Sequence, residues 1–502
     1  MNILEKIEKF ILYATVFLAP LMVLTLFANP YSPTKLTILA LGVSLILLIK
    51  AIRVISERSL EISTGSFDLP VLFLLIVYVV SAILKTPNKM EAFFIPGTAT
   101  VVVCSTLLYF FINNLKEKGK KTLSSVVFLS GVTMVIIFLL AFSKTLALIP
   151  QLPPFIQDRF FNPLGGLLPL AIFLATIIPL GINQVVSQKE IVKKIFSGLA
   201  VLILVLTLVL AIYNILPGKP TEPRLLDFKT SWAVTIETLK ESPLLGIGTN
   251  NFLTAFNRFR PLSYNLTDNW AVKVSTARKF YLTALTETGL VGMAAIILIL
   301  SIVFRMAKKQ IKERKLTTET AFLISLIILL ILFAFFTATP INIMLFFILL
   351  ALVSKSRSTT LNFSSQAAEK SNNPLASRIP SLLVVLPVIA VLIIFTIFSS
   401  RVLIAEVKYR KALDALIIND GLTTYETLRE TVNTNPYVDR YHATYSQVNL
   451  ALANSLALNE DLTDQDRSTI AQLVQQAIEE AKATVSLNVT RAGNWEVLAR
   501  TY

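Results

Sequence analysis

The chain has 502 residues, 54% of them hydrophobic and only 15% charged, with 46 Lys and Arg against 31 Asp and Glu and a formal net charge of +15. So few charges cannot cover the surface of a soluble protein of this length, which points to a membrane protein. One cysteine and one histidine exclude a disulfide within the chain and a Cys-based metal site, and the absence of P-loop, GxGxxG and HExxH patterns leaves ATP and zinc chemistry without support.

Apolar stretches of bilayer-spanning length recur near 8–27, 34–52, 69–85, 97–114, 123–142, 165–183, 195–216, 280–304, 319–337, 340–354 and 379–399. They predict an all-α, polytopic helical membrane protein of about eleven spans, with the short stretch at 340–354 the weakest of the set. The first stretch has no small-residue cleavage site and is followed by further spans, so it reads as an anchor. Cys104 lies in an apolar span and reads as a small core residue.

Lys and Arg alternate in density between successive links. One set of links carries Lys50, Arg53 and Arg58, then Lys116 to Lys121, then Lys189 to Lys194, then Arg305 to Lys315; the other carries only Lys35, Lys85, Lys89, Lys144 and Arg159 among its short links. By the positive-inside rule the N-terminus is cytoplasmic. The long polar segment at about 217–278 and the region after residue 399 are then extracytoplasmic. Much of the positive charge is topological, so it implies no nucleic acid.

The 217–278 loop is the one long polar interruption among short links, which marks it for chemistry or recognition. Trp232 to Leu239 reads as a short amphipathic helix ended by Ser242-Pro243. Gly246 and Gly248, with Thr249, Asn250 and Asn251, predict a tight turn, either a plain connection or a nest of amides facing an anion. Phe256-Asn257-Arg258-Phe259-Arg260-Pro261 interleaves arginines with aromatics, a pattern suited to phosphate and sugar or to anchoring at the membrane interface. Arg224 near one end of the loop and Arg278 at the other fall at the outer membrane boundary, where a lipid-linked diphosphate would sit.

From residue 400 charges of both signs return and helical periodicity replaces continuous apolarity. A helix with Tyr441, Tyr445, Val448 and Leu452 along one face follows Asn435-Pro436. His442 neighbours Tyr441 and Tyr445 and reads as a packing residue. A second helix runs from about 463 to 486, opened by a Thr463–Asp466 cap. The spacing Trp495-x-x-Leu498-Ala499-x-x-Tyr502 resembles the first helix of a tetratricopeptide repeat. The 400–502 region is therefore expected to be a helical-repeat domain, incomplete in this chain; a plain helical hairpin is the alternative.

Taken together, SWAVTIETLKESPLLGIGTNNF, the aromatic–basic segment and FYLTALTETGLVG resemble the O-antigen ligase-like family, which includes O-antigen ligases, O-antigen polymerases and bacterial protein O-oligosaccharyltransferases. The family pattern falls on Trp232, Pro243, Leu244, Gly246, Gly248 and Phe252, and then on Tyr281, Leu282, Glu287, Thr288, Gly289 and Gly292. Asp158-Arg159-Phe160-Phe161-Asn162-Pro163 resembles the family's Arg and Asn-Pro stretch before a span. The resemblance implies a membrane glycosyltransferase that moves a glycan from an undecaprenyl-diphosphate carrier to a glycan, lipid or protein acceptor at the outer face of a bacterial cytoplasmic membrane, without a cofactor or metal. The repeat domain would bind the acceptor or a partner protein. Where the family's ligases carry a histidine, this chain has Arg278. Arg258, Arg260, Arg224 and Arg159 are the expected diphosphate ligands, Arg278 and Glu287 the expected catalytic pair, and Trp232, Gly246 and Gly248 the residues that shape the loop. A transporter and a non-catalytic scaffold that presents the repeats are the competing expectations.

Overall fold

The computed structural model describes residues 3–313, 317–363, 379–458 and 461–502. It is three-quarters helix. In chain order the helices are α1 (Ile3–Leu21), α2 (Ser32–Glu57), α3 (Asp68–Leu84), α4 (Lys89–Phe93), α5 (Thr98–Asn113), α6 (Glu117–Phe142), α7 (Pro154–Gln157), α8 (Leu167–Ser187), α9 (Ile191–Asn214), α10 (Phe228–Glu241), α11 (Phe252–Phe259), α12 (Phe280–Glu313), α13 (Thr318–Phe333), α14 (Pro340–Val353), α15 (Ile379–Ile417), α16 (Gly421–Thr434), α17 (Asp439–Ala457), α18 (Asp464–Leu487) and α19 (Ala492–Thr501).

Seven segments among the described residues are long and apolar enough to cross a membrane: α2, α4 with α5, α6, α8, α9, α12 and α15. Three shorter apolar helices, α3, α13 and α14, pack among them. α9 and α15 leave most of their apolar surface uncovered, with Leu202, Leu206, Val209, Leu383, Val391 and Ile394 all exposed. A belt of large apolar side chains on that scale needs lipid around it. The protein is a helical membrane protein.

α14 is the opposite case. Every residue from Ile341 to Val353 is buried, including Asn342. Its 14 residues extend about 21 Å, less than a ~30 Å hydrocarbon core. The stretch that looked weakest as a span is the centre of the bundle, wrapped by α5, α13, α2 and α8. An all-round apolar helix sheathed by protein needs no bilayer-matched length.

One feature departs from the all-helical expectation. β1 (Ser59–Thr64) and β2 (Arg357–Asn362) form an antiparallel two-stranded sheet, in register from Ser59 opposite Asn362 to Thr64 opposite Arg357. The strands are six residues each and sit in polar links. Their partners are nearly three hundred residues apart, so no local pattern announces them. Around the sheet gather the ends of α2, α5 and α14: the Ser63 N–H donates to Asn114 Oδ1 (2.7 Å), and Lys120 Nζ donates to the Ser354 carbonyl (2.9 Å).

The 217–278 segment and the C-terminal helices gather at the other end of the bundle, where α3 finishes. Asn88 Nδ2, just beyond α3, donates to the Tyr437 carbonyl (3.2 Å), and Lys273 of the loop reaches Glu496 of α19 (3.4 Å). α15 runs unbroken through Ser400, so the compositional change there falls inside one helix. Its distal half packs with α16 and α17 around Ala405, Tyr409, Leu428, Tyr441 and Tyr445. α17 and α18 form an antiparallel pair. Thr463 and Asp466 close the expected capping box at the start of α18. Trp495 of α19 is 52% exposed, its indole N–H donating to the Val489 carbonyl (2.9 Å). His442 is buried between Glu480, 2.5 Å from its Nδ1, and the Pro436 carbonyl, 2.9 Å from its Nε2.

Candidate functional site

The 217–278 segment is built, not slack. Leu226, Val234, Phe252, Phe256, Tyr264, Ala277 and Leu282 bury one another in a small core of their own. α10 starts where Asp227 caps it, accepting from the Thr230 N–H (2.8 Å). α10, Phe228–Glu241, is longer at both ends than the Trp232–Leu239 helix that the sequence suggested, and α11 is a second helix that the sequence reading did not place.

The glycine turn is fastened to a break in α12. Gly289, at φ +66° and ψ −163°, interrupts that helix. A break there strands the Thr286 and Glu287 carbonyls and the Leu290 and Val291 N–H groups, which a continuous helix would pair. The turn supplies all four partners. The Ile247 N–H donates to the Thr286 carbonyl (2.9 Å) and the Gly248 N–H to the Glu287 carbonyl (3.2 Å). In return the Leu290 N–H donates to the Pro243 carbonyl (2.8 Å) and the Val291 N–H to the Leu244 carbonyl (3.2 Å). Ser81 of α3 donates to the carbonyls of Leu245 (3.0 Å) and Glu287 (2.7 Å), pinning both sides.

This contact explains the glycines. A Cβ on Gly246, at φ +65°, would sit 2.3 Å from the Thr286 carbonyl oxygen, and one on Gly289 would sit 2.4 Å from the Leu244 backbone. Gly248, at φ +103°, stands as close to Thr86. The amides that might have formed an anion nest are committed to α12, so Gly246 and Gly248 are residues of close approach, not of ligand binding.

Glu287 lies beneath this turn. It is 4% exposed, and the Asn250 backbone N–H donates to its carboxyl group. Asn250 takes a positive φ of 61° to do so. In this conformation the carboxyl group is buried against the turn. Thr235 and Thr286 join α10 to α12 next to it, hydroxyl to hydroxyl at 2.9 Å.

The expected arginines do not converge. Arg258 is taken by Glu241, 2.7 Å away at the C-terminal end of α10. Arg260 donates to the Trp270 carbonyl (3.1 Å) and lies over the Phe256 and Tyr264 rings. Arg159 belongs to a different element, stacked 4.3 Å over Phe142 at the end of α6. Its turn is tied to α2 through Lys35, whose Nζ donates to the Pro163 carbonyl (2.6 Å). Arg278 sits at the N-terminal half of α10, its backbone N–H donating to Ser231 Oγ (3.1 Å). Ser231 and Glu241 are ten residues apart on one helix, so the anchor points of Arg278 and Arg258 are about 15 Å apart along its axis.

What the packing does bring together is Lys279 and the Phe228–Trp232 stack at the start of α10, with Lys229 next to Phe228 and Arg278 next to Lys279 in sequence. The guanidinium groups of Arg278 and Arg224 and the ammonium of Lys229 have no hydrogen-bond or ion-pair partner among the described residues. Lys279 lies 4.4 Å from the Phe228 ring centroid. Phe228 stacks on Trp232 at 6.2 Å, and both rings are 48% exposed. Asp227, the carboxylate next to Phe228 in sequence, is occupied as the helix cap. Uncompensated cations at the positive end of a helix dipole form an anion-attracting surface. The Phe280 N–H donates to the Phe336 carbonyl (3.0 Å), which sets this patch against the α13–α14 link. Lys229 and Lys279 belong to the basic ends of the loop that the sequence marks, whereas Phe228 and Ser231 carry no motif of their own and are revealed by the packing of α10 on α12.

Among the described residues no group of three His, Cys, Asp or Glu is placed to hold a metal ion. No protein-family model matches this chain, and no curated protein matches it.

Proposed function

We propose that this chain is a membrane glycosyltransferase of the O-antigen ligase-like type, taking its glycan from an undecaprenyl-diphosphate carrier at the outer face of a bacterial cytoplasmic membrane. In this topology eleven helices cross, with α1, α3, α13 and α14 completing the seven longer segments. The N-terminus is cytoplasmic, and the 217–278 loop and C-terminal helices lie outside, as the Lys and Arg distribution favours.

The observation that carries the proposal is the contact of Lys279 with the exposed Phe228–Trp232 stack at the start of α10, flanked in sequence by the unpaired cations Arg278 and Lys229, with Arg224 four residues before α10. Cations held in place by a rigid loop stabilise the charge that grows on a departing diphosphate, and exposed aromatic faces stack on sugars. The bond from the anomeric carbon to the diphosphate oxygen breaks, its electron pair leaving with the diphosphate, as an acceptor hydroxyl oxygen takes that carbon and gives up its proton to the departing diphosphate or to solvent. Arg278 is the residue assigned to the leaving diphosphate. Arg258 and Arg260 hold the fold of the loop, and Glu287 is a positioning residue for the turn. This division departs from the set the sequence suggested, because Glu241 and Trp270 already occupy the two loop arginines.

The test is donor consumption by the purified protein, wild type beside Arg278→Ala and Arg258→Ala. Loss with the first and near-retention with the second is the expected pattern. Equal loss would place the diphosphate at α11 instead. Undiminished consumption in both would remove the loop from the reaction.

A further inference from the structure

Away from the loop, two adjoining cavities open between α2, the α4–α5 link and α15. The first, about 270 Å³, is mostly apolar and includes Pro33, Leu36, Ala40, Leu41, Phe395 and Leu403 in its lining. The second, about 280 Å³, sets the charged Glu91, Asp439 and Arg440 among apolar residues. Pro33 and Ile95 line both, so they form one crevice with an oily half and a charged half.

Its dimensions define the oily occupant. On α2 the lining runs from Pro33 to Ser44, and on the antiparallel α15 from Phe395 to Glu406. Eleven helical steps on each extend about 16 Å, close to half of a ~30 Å hydrocarbon core. That is the depth of one leaflet.

Its chemistry defines the head. Glu406 is 1% exposed and lines the apolar cavity at its charged end. Its Oε1 accepts from both Arg440 and Tyr441, but its Oε2 has no partner, and neither has Arg440 Nε. One buried acceptor and one buried donor are thus left open beside each other's ion pair. Unmet buried polar groups of this kind are rare in folded proteins, and each signals a missing partner. A group with an N–H donor for the carboxylate and an anionic oxygen for the guanidinium would satisfy both.

We propose that this crevice binds a phospholipid whose headgroup carries a primary ammonium beside its phosphate, seated in the leaflet on the loop side. The ammonium donates to Glu406 Oε2, the phosphate accepts from Arg440 Nε, and an acyl chain fills the groove toward Ser44. The lipid thereby sits between the membrane helices and the C-terminal helices. The site is independent of the glycan-transfer proposal, since none of its residues belongs to the 217–278 loop.

The experiment is lipid titration of the delipidated full chain, read by native mass spectrometry, with phosphatidylethanolamine, phosphatidylcholine and phosphatidylglycerol of matched chains. Phosphatidylethanolamine should bind about tenfold more tightly than either of the others, the worth of one charged hydrogen bond. Glu406→Gln should abolish that preference. Ser44→Phe, which fills the deep end without touching the charged half, should weaken all three lipids, and it keeps the test open if Glu406→Gln fails to fold. Equal binding of the three lipids by the wild type, or unchanged binding by Ser44→Phe, would overturn the proposal.

Discussion

Gly289→Ala is the sharpest probe of how the loop is held. The new methyl group would lie 2.4 Å from the Leu244 carbonyl carbon and oxygen, atoms of backbone that cannot swing aside. Holding alanine at φ +66° and ψ −163°, a region that is essentially glycine's alone, costs about 1–3 kcal/mol. The four exchanged backbone hydrogen bonds hold the turn against that strain, so the mutation weakens the docked state by the strain alone. Opening should therefore become about fivefold to a hundredfold more populated, since 1.4 kcal/mol is a factor of ten. The assay is limited proteolysis within 243–279 on the purified protein, where cleavage rate follows the open population. The control is Gly198→Ala in α9, where an added Cβ meets nothing within 4 Å and helix propensity favours alanine by about 1 kcal/mol. If Gly289→Ala is cleaved no faster than Gly198→Ala, the turn is not fastened to the helix break and the inferred packing of the loop is wrong.

Further outcomes can be stated together. Arg278→Ala should weaken binding of undecaprenyl diphosphate about tenfold or more, because an Arg–phosphate pair is charge-assisted, while Arg258→Ala should weaken it less than about threefold; isothermal titration in detergent separates the two. Arg491 pairs with Glu91 (2.6 Å) and Asp439 (2.9 Å). Arg491→Ala leaves two buried carboxylates without their cation, a loss of about 3–5 kcal/mol, and should raise hydrogen exchange across α17 and α19. Burial alone pushes the His442 imidazole down, but the Glu480 carboxylate and the Pro436 carbonyl outweigh it and hold it above its ordinary value. A raised folded value stabilises the charged form, so this contribution is full below the ordinary histidine pKa of ~6.5 and is lost as pH rises through the folded value. Trp495 fluorescence during thermal unfolding should show that decline as pH rises above about 6.5, and His442→Gln should flatten it.

The helices were legible where one local signal decides them. Continuous apolarity of bilayer length marked the long segments, and Thr463 with Asp466 marked the start of α18. Pairings across long separations were not legible. Gly246 could be read as a turn glycine, but its reason is Gly289, forty-three residues on, and neither residue names the other. Arg258 looked free because Glu241 lies seventeen residues back, on a helix whose angle to α11 only packing sets. Glu287 read as an acid set inside a span and so marked for catalysis, and the Asn250 N–H and the glycine turn folded over it could not be seen from its neighbours in sequence. α14 was the least secure of the expected spans because it is short, and the structure makes it a fully buried helix at the centre of the bundle, which its sequence alone does not reveal. β1 and β2 were missed because six-residue strands in polar links have no periodicity long enough to register.

The measurement closest to the central claim is glycan transfer by the purified protein, with undecaprenyl-diphosphate-linked glycan as donor, a panel of lipid, glycan and peptide acceptors, and Arg278→Ala beside the wild type. Donor consumption and a glycosylated product from the wild type, falling sharply in Arg278→Ala while Arg258→Ala stays active, is the expected result. Donor that stays intact with every acceptor, although the folded protein still binds it, would contradict a transferase and leave a membrane protein that presents its C-terminal helices for another purpose.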